Sequence, residues 1–522
     1  MRLHTPYRGA AKPVAAQTAQ GGPNILVLMV DELNVAATGV YGHPFVHTPN
    51  LDRLARSGVT VERAYCNSPL CVPSRAAFMT GRSPHQLCVY DLASPLSSGE
   101  PTWAHLLNAA GYETVLAGKM HFIGPDQRHG FQRRLVEDCH GDGTHHGVPN
   151  WDAPRPAAAT KAMPSERLVK AGRAGRTRYT DYDTSVRDET VRYLKEHAQR
   201  HRDGRQAGHQ EEQSGDQRGK PFALCASFIS PHFPLVVEDR FFNHYYPDLA
   251  DLPRHTEVPD HPKYPRLRQF FSLDAPFDVD VIRRCRAAYY GLVTFVDELI
   301  GGILDALEET GLAENTFILF TGDHGEMLGE RGLWWKSCML EGAARVPMVC
   351  AHPGRLPAGA RRDSVLSLVD VFPTLLDVAG IPPPDFLEGS SFLPLLEGGD
   401  PAWKDEALIE FLAHTAIGPE AALVRRTGVE NQGSGQDGGQ AAVHKLIYAL
   451  HEPPQLYDLT ADPDELVNLA GDPRYRTVQD DLEHRLLSRW PAQQLDGAVR
   501  KSQRLRRFVT AGQEKKMVEL EA

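Results

Sequence analysis

PNILVLMVDELN, residues Pro23–Asn34, sets a continuous apolar run, Ile25–Val30, directly against two carboxylates, Asp31 and Glu32. An uninterrupted run of this length, without polar alternation, describes a strand buried on both faces, as in a parallel sheet covered by helices. Ligands of such sheets lie outside the carboxyl ends of the strands, so the residues that follow each apolar run carry the information. Working outward, Thr114–Ala117 is followed by Gly118, Lys119 and His121, Phe222–Phe228 by Pro231 and His232, and Thr316–Thr321 by Gly322, Asp323 and His324. Pro347–Ala351 reads as a further strand. Helices are expected over Pro49–Ser57, Ser74–Thr80, Thr102–Ala110, Leu366–Ala379 and Asp278–Thr310. In the last, Ala288, Leu292, Phe295, Val296, Ile300 and Ile303 recur at helical spacing and Gly311 suits a C-terminal cap. The fold class is α/β: a large, mostly parallel central sheet flanked by helices, with a smaller C-terminal α+β subdomain.

The 522 residues divide into an expected flexible leader, 1–23, a catalytic domain, 24–398, and a C-terminal subdomain and tail, 399–522. In the C-terminal part, Lys445–Leu450 and Gln455–Leu459 read as strands and Val478–Trp490 as a helix. His197–Lys220 and Asn431–Gln440 are polar and read as mobile surface loops. Arg500–Arg507 is basic and reads as a solvated helix end or a subunit contact. A net charge of −11 argues against a general nucleic-acid binder. With no apolar signal segment at the start and no uncharged apolar stretch of membrane length, a cytoplasmic protein with no membrane partner is expected. The eight cysteines form no CxxC pair, and in that compartment most behave as small buried hydrophobes.

If the strands are parallel, the groups at their ends converge on one rim. Asp31, Glu32, Asp323 and His324 are mostly oxygen donors and suit a hard cation. Calcium comes first, with magnesium, and manganese enters because His324 adds a nitrogen. Lys119, His121 and His232 would surround that metal with donors able to neutralise an anionic oxyester in its transition state. Taken singly, either histidine is more often a satisfied structural one.

The segment Cys66–Arg82, CNSPLCVPSRAAFMTGR, holds Cys71-Val72-Pro73-Ser74-Arg75. Pro73 belongs in the first turn of a helix, so Cys71 falls at the helix N-terminus, where partial positive charge favours an anion. Arg75, one turn on, is placed to hold the nucleophile or a bound anion bidentately. These residues alone describe an activated thiolate, a poor match to a hard metal and an oxyester.

CxPSR, followed by Thr80-Gly81-Arg82, resembles the signature of the sulfatase family of the alkaline phosphatase superfamily. The resemblance runs from Pro23 to about Pro473. It takes in HTPNLDRLARSGVTVERAYCNSPLCVPSR, GYETVLAGKMHF, SFISPHFP, GDHGEMLGERGLWWKSCMLEGAARVPM, which adds Lys336, and QLYDLTADPDELVNLAGDP. GKMHFIGPDQRHGF and GDHGEMLGERGLWWK are nearest to the choline sulfatase branch. Many relatives carry paired aspartates where Asp31-Glu32 stands, and Asp-Asn where Asp323-His324 stands.

What the resemblance implies is an alkaline phosphatase-like fold and a Cys71 oxidised to formylglycine by a maturation enzyme. The modified Cys71 lies beside a divalent metal with Asp31, Glu32, Asp323 and His324. One hydroxyl of the hydrated aldehyde attacks sulfur. The alcohol leaves, protonated by His232 or Lys336, and His121 takes a proton from the second hydroxyl to expel sulfate. Arg75, Lys119 and Lys336 spread the charge, with Lys119, His232 and Lys336 binding substrate. The implied substrate is a small-molecule sulfate monoester, choline sulfate first, with Trp151, Trp334, Trp335 and Tyr90 available to a quaternary ammonium. A homo-oligomer is implied as well. The alternative is a phosphonate monoester or phosphate diester hydrolase of the same superfamily. A non-catalytic binding protein on this fold would have lost several of these residues, and all are present.

Overall fold

A computed structural model of the protein describes residues 22–144, 146–152, 166–206, 219–399, 402–427 and 441–521. Asn24–Asp31 (β1) lies in the middle of an eight-stranded sheet. It pairs in parallel with Phe222–Pro231 (β6) on one side and Thr316–Gly322 (β8) on the other. Beyond β6 come Glu113–Gly118 (β3) and Arg133–Val136 (β4). Beyond β8 come Arg345–Ala351 (β9), Val59–Tyr65 (β2) and Ala360–Ser367 (β10). Only β9 runs against the others. The five apolar runs read from sequence are therefore all strands, and β1, β6 and β8 are buried along their whole length, the condition for helices to cover both faces.

The reversal of β9 matters for the site. Because β8 and β9 are antiparallel neighbours, the connection 323–344 leaves and re-enters the sheet at the same edge, the carboxyl rim of β1. Strand β2 also ends at this rim, and the helix Cys71–Thr80 begins six residues after Tyr65. The helix Val279–Glu309 is capped by Asp278, whose side chain accepts from the Asp280 N–H. It is long and apolar enough to cross a membrane, but 83% of its apolar window is buried inside the protein. That makes it the core helix expected from its periodicity.

Two-residue strands Arg173–Ala174 (β5) and Val236–Val237 (β7) pair beside the main sheet. Glu406–Phe411 (β11), Glu420–Thr427 (β12), Ala442–Ala449 (β13) and Gln455–Asp458 (β14) form an antiparallel sheet, and the helix Arg476–Arg489 follows. β13, β14 and this helix correspond to the C-terminal strands and helix expected from sequence, while β11 and β12 are not part of that expectation.

Three expectations change. Leu366–Ala379 is not one helix: β10 runs to Ser367, a short turn follows, and only Val371–Val378 is helical. Leu366 and Ser367 are held in register by Ala64 and Tyr65 of β2, so sheet pairing overrides the helical period there. His197 is not in a loop. The helix Arg178–Gln206 continues through it, because His197 is fully buried edge-on to Phe222 at 5.1 Å. The remainder of that polar stretch from 207 to 218, the stretch Asn431–Gln440 and the leader up to residue 21 lie outside the described residues. Arg500–Arg507 lies in the helix Ala492–Glu521, where Lys501, Arg504 and Arg507 are exposed, as a solvated helix would have them, while Arg500 and Arg506 turn inward. Arg506 bonds both oxygens of buried Asp91 at 2.7 Å, and Arg500 reaches the Trp151 carbonyl at 2.7 Å.

Gly118, at the end of β3, has φ +98°, and a Cβ there would stand 2.2 Å from the Ser227 carbonyl oxygen of β6. Gly118→Ala should therefore push β3 from β6 and destabilise the protein by about 2–4 kcal/mol. Urea unfolding with an unchanged m-value and a lower midpoint checks this.

Candidate active site

Arg75 ties the rim together. Its Nε donates to Asp323 Oδ2 at 2.8 Å and one terminal nitrogen to Asp31 Oδ2 at 2.9 Å. The other donates to the Lys119 carbonyl at 2.7 Å and Ser227 Oγ at 2.9 Å. Lys119 Nζ adds an ion pair to the same Asp31 Oδ2 at 2.5 Å. All four residues are buried, so each carboxylate gives Oδ2 to cations and turns Oδ1 the other way.

The Oδ1 atoms face a common point. Asp31 Oδ1 lies 3.7 Å from Cys71 Sγ and 4.0 Å from His324 Nε2. Asp323 Oδ1 is 3.8 Å from His324 Nε2, which is 3.2 Å from Cys71 Sγ. His324 Nδ1 donates to the Gly325 carbonyl at 3.0 Å, which leaves the Nε2 lone pair directed at this point. Two carboxylate oxygens, an imidazole nitrogen and position 71 thus converge within 4.8 Å of one another. The donor chemistry and the spacing fit one divalent cation.

Glu32 does not join this group. Its φ of +62° turns the side chain away, and Tyr289 clamps the turn by donating to the Glu32 carbonyl at 2.6 Å and accepting from the Asn34 N–H at 2.8 Å. Glu32 Oε2 meets Lys336 Nζ at 2.7 Å and His232 Nε2 at 3.2 Å. The added methylene relative to aspartate thus carries the carboxyl past the cation site, where it could coordinate only together with Asp31 and His232. Arg75 also differs from its expected contact with an anion, because its donors are filled by Asp31, Asp323, the Lys119 carbonyl and Ser227.

Burial pushes the Cys71 thiol up to about 12, and Asp31 adds to this against Lys119 and Lys336. An unmodified thiol here is therefore neutral and a weak nucleophile. Burial alone would raise Asp31, but Lys119, His232 and Arg75 together hold it well below the carboxylate range. Burial raises Glu32 well above that range, and adjacent buried Glu326 adds to the rise while Lys336 opposes it. His232 is lowered by burial and then by Lys336. Its Nδ1 donates to the Phe233 carbonyl at 2.8 Å, so Nε2 receives the proton that Glu32 retains. Burial, then Lys119 and His140, lower His121 and keep it a neutral base.

Two carboxylates that the motifs did not reveal position these groups. Asp138 Oδ2 accepts the backbone N–H of Met120 at 2.8 Å and of His121 at 2.7 Å, fixing His121 at φ +58°. Asp183 accepts the N–H of Ile229 and of Ser230, both at 2.8 Å, and so sets the end of β6 before His232. Neither carries a local signal, since each meets its partners only after the strands assemble. His140 stacks on His121 at 4.4 Å, and His146 Nε2 lies 2.8 Å from His121 Nε2. Their nitrogens are close enough to share a metal. Nearly parallel stacked rings, at 19°, aim their lone pairs side by side rather than at one ion.

Cys71, His121, His232 and Lys336 open into a cavity of about 810 Å³, which Trp335, Phe270, Phe271 and His414 also line. Trp151, Trp334 and Tyr90 do not line it, so the aromatic set read from sequence contributes Trp335 alone.

A buried carboxylate pair, an imidazole and a helix-end cysteine at the rim of a mostly parallel sheet point to an enzyme that cleaves anionic esters on the alkaline phosphatase-like fold. The sulfatase family model matches residues 23–381, and a model for the C-terminal part of N-sulphoglucosamine sulphohydrolase matches 329–491. The chain belongs to the sulfatase family and is a sulfuric ester hydrolase. It is 34% identical to the choline-sulfatase of Rhizobium meliloti (strain 1021), covering 94% of this chain and 91% of that protein. It is 30% identical to an arylsulfatase of Clostridium perfringens (strain 13 / Type A), covering 89% and 94%. The crystal structure of the phosphonate monoester hydrolase of Agrobacterium radiobacter superposes with a TM-score of 0.64 at 26% identity, over 89% of this chain and 95% of that one.

Arg75→Lys keeps the charge but cannot span Asp31 and Asp323. It should release the metal and lower kcat by about a hundredfold or more. Metal analysis of the purified variant and its steady-state kinetics check this. Burial raises Asp183 to about 6 from an ordinary 3.8, against the hydrogen bonds from Ser230 and Ile229. The folded state thus holds the proton more tightly, so the associated stability is complete below about pH 4 and is lost as pH rises through about 6. Asp183→Asn should flatten that part of the stability–pH curve measured by urea denaturation.

Proposed function

We propose that the chain hydrolyses sulfate monoesters with a formylglycine made from Cys71 as the nucleophile and a divalent cation held by Asp31, Asp323, His324 and position 71. The observation that carries this reading is the neutral, buried Cys71 thiol facing two Oδ1 atoms and the His324 Nε2 lone pair. A hydrated aldehyde there supplies the acidic oxygen that the thiol does not, and a second hydroxyl whose loss of a proton frees sulfate. The cation supplies charge to lower the pKa of that oxygen and to neutralise the sulfate. Calcium suits the carboxylates, and the nitrogen of His324 brings manganese into range.

The chain's own groups divide the remaining work. The N-terminus of the helix Cys71–Thr80 points its positive end at the ester. Lys336 is placed to give the leaving oxygen its proton, or His232 does so after taking up the proton that Glu32 retains, the two being linked through Glu32 Oε2. His121, neutral and fixed by Asp138, receives the proton on the other side. Arg75 and Lys119 hold the cation's carboxylates in place. Cys71 is 3% exposed, so the maturation enzyme has to reach it before the chain folds. The eight free cysteines suit a reducing, cytoplasmic setting.

The similarity to a phosphonate monoester hydrolase supports a second reading, hydrolysis of phosphonate monoesters or phosphate diesters at the same centre. Choline is a poorer fit to this pocket: among the described residues one tryptophan and no carboxylate line it.

Peptide mass spectrometry of active enzyme should find formylglycine at position 71, and an unmodified thiol there would sink the mechanism. Cys71→Ser should stop after one turnover, since a serine ester has no second hydroxyl. Chelation should abolish activity, and Ca²⁺ or Mn²⁺ should restore it. With nitrophenyl esters assayed side by side, sulfate should exceed phosphonate in kcat/KM, and the reverse would select the second reading.

A further inference from the structure

Resting on the reading of the chain as a sulfate ester hydrolase, we propose that the active-site cavity holds a second anion subsite, formed by Arg173 and Arg178. The alcohol released from sulfate then carries a carboxylate or another anionic group.

The cavity wall is charged with one sign. Arg167, Lys170, Arg173, Arg178 and Lys336 line it, and among the described residues no aspartate or glutamate does. Lys336 is bound to Glu32 beneath. Arg173 and Arg178 differ from it, since no carboxylate among the described residues pairs with either. Arg178 makes only a hydrogen bond to the Tyr179 hydroxyl, at 2.9 Å, and lies over that ring at 4.8 Å. Arg176, between them in sequence, does not line the cavity and is neutralised by Asp181 and Glu238. In one six-residue stretch, the arginine turned from the cavity has two acidic partners and the two that face it have none. Uncompensated guanidinium groups on a cavity wall are donors held ready for an anion, with the planar fork that suits a carboxylate or a sulfate.

The backbone that carries them is fixed. The Gly172 N–H donates to the Leu235 carbonyl at 2.8 Å and the Gly175 N–H to Val237 at 2.7 Å. Gly172, at φ +61°, lies so close to the helix Val279–Glu309 that a Cβ would stand 2.6 Å from its backbone. Residues 235–237 follow His232 directly, so this small sheet sets the two arginines relative to the reacting group. The volume of about 810 Å³ exceeds what a sulfate on a simple small alcohol requires. A cationic alcohol would meet repulsion on this wall, and an anionic one would be steered in.

The test measures binding apart from turnover. In full-length Cys71→Ala protein, calorimetry compares the sulfate esters of para-hydroxybenzoate and of the longer biphenyl carboxylate, each against its own methyl ester. At least one carboxylate should bind about tenfold more tightly than its ester. Adding Arg173→Gln and Arg178→Gln should close that gap to within about twofold. Equal affinity of acid and ester in both pairs overturns the subsite, and so does a gap that survives the two glutamines. Matured enzyme given the same compounds reports separately on the reaction. Preferential binding of the carboxylates without release of sulfate from any of the four esters would leave the subsite standing and remove the hydrolysis assigned above.

Discussion

The bridge from Arg75 to Asp31 and Asp323 is the constraint on which the rest of the site depends. One guanidinium joins the ends of β1 and β8 to the first turn of the helix Cys71–Thr80, with its last donors on β6 and on the residue after β3. It brings four strands and a helix into one arrangement. Leaving either carboxylate unpaired at that depth costs about 3–5 kcal/mol, so the arrangement is specified as well as stabilised. The bridge also has a chemical consequence. By occupying both Oδ2 atoms it turns both Oδ1 atoms toward the point shared with His324 and Cys71, where Asp323 Oδ1 also accepts the backbone N–H of Glu32 at 3.1 Å and of His324 at 2.9 Å.

The sheet supplies the second constraint. Parallel strands deliver their terminal residues to one edge, but a parallel crossover would carry the segment after Asp323 away to the opposite edge. The antiparallel β9 keeps residues 323–344 over the rim. Asp323, His324, Glu326, Trp335 and Lys336 thus come from one connection, although Lys336 lies more than ten residues beyond the strand. Glu326 shows how tightly this connection is built: its Oε1 accepts the N–H of Leu328 at 2.9 Å and of Trp335 at 2.5 Å.

The framework was legible in sequence because its determinants are local. An apolar run bounded by polar residues names a strand whatever it pairs with, and in this fold class the next residue lies at the ligand edge. Asp31, Lys119, His121, His232, Asp323 and His324 were accessible for that reason, and Cys71 through its short motif. What stayed hidden depends on partners distant in the chain. An arginine one turn into a helix can bind a substrate anion or a protein carboxylate with the same fork, and only the packed structure shows that Arg75 does the second. The direction of Glu32 follows from a left-handed turn held by Tyr289, 257 residues away. Asp138 and Asp183 accept backbone N–H groups that become neighbours only after β3 and β6 are in place. The same holds for residues 366–367, where pairing to β2 prevails over an apolar period that suits a helix.

Charge is distributed in depth, and this distribution connects the inner chemistry to the mouth of the cavity. At the bottom, Arg75 and Lys119 face Asp31 and Asp323, so the fixed cations there are compensated. One layer out, burial keeps His121 and His232 neutral and lets Glu32 retain a proton, which provides proton carriers rather than fixed charge. At the wall, Arg173 and Arg178 stand without a carboxylate partner among the described residues. A sulfate monoester crossing these layers meets fixed positive charge, then groups that can exchange protons, then the compensated floor beside Cys71. Placing the proton carriers between a compensated floor and a cationic wall lets protons move there without altering either layer of fixed charge.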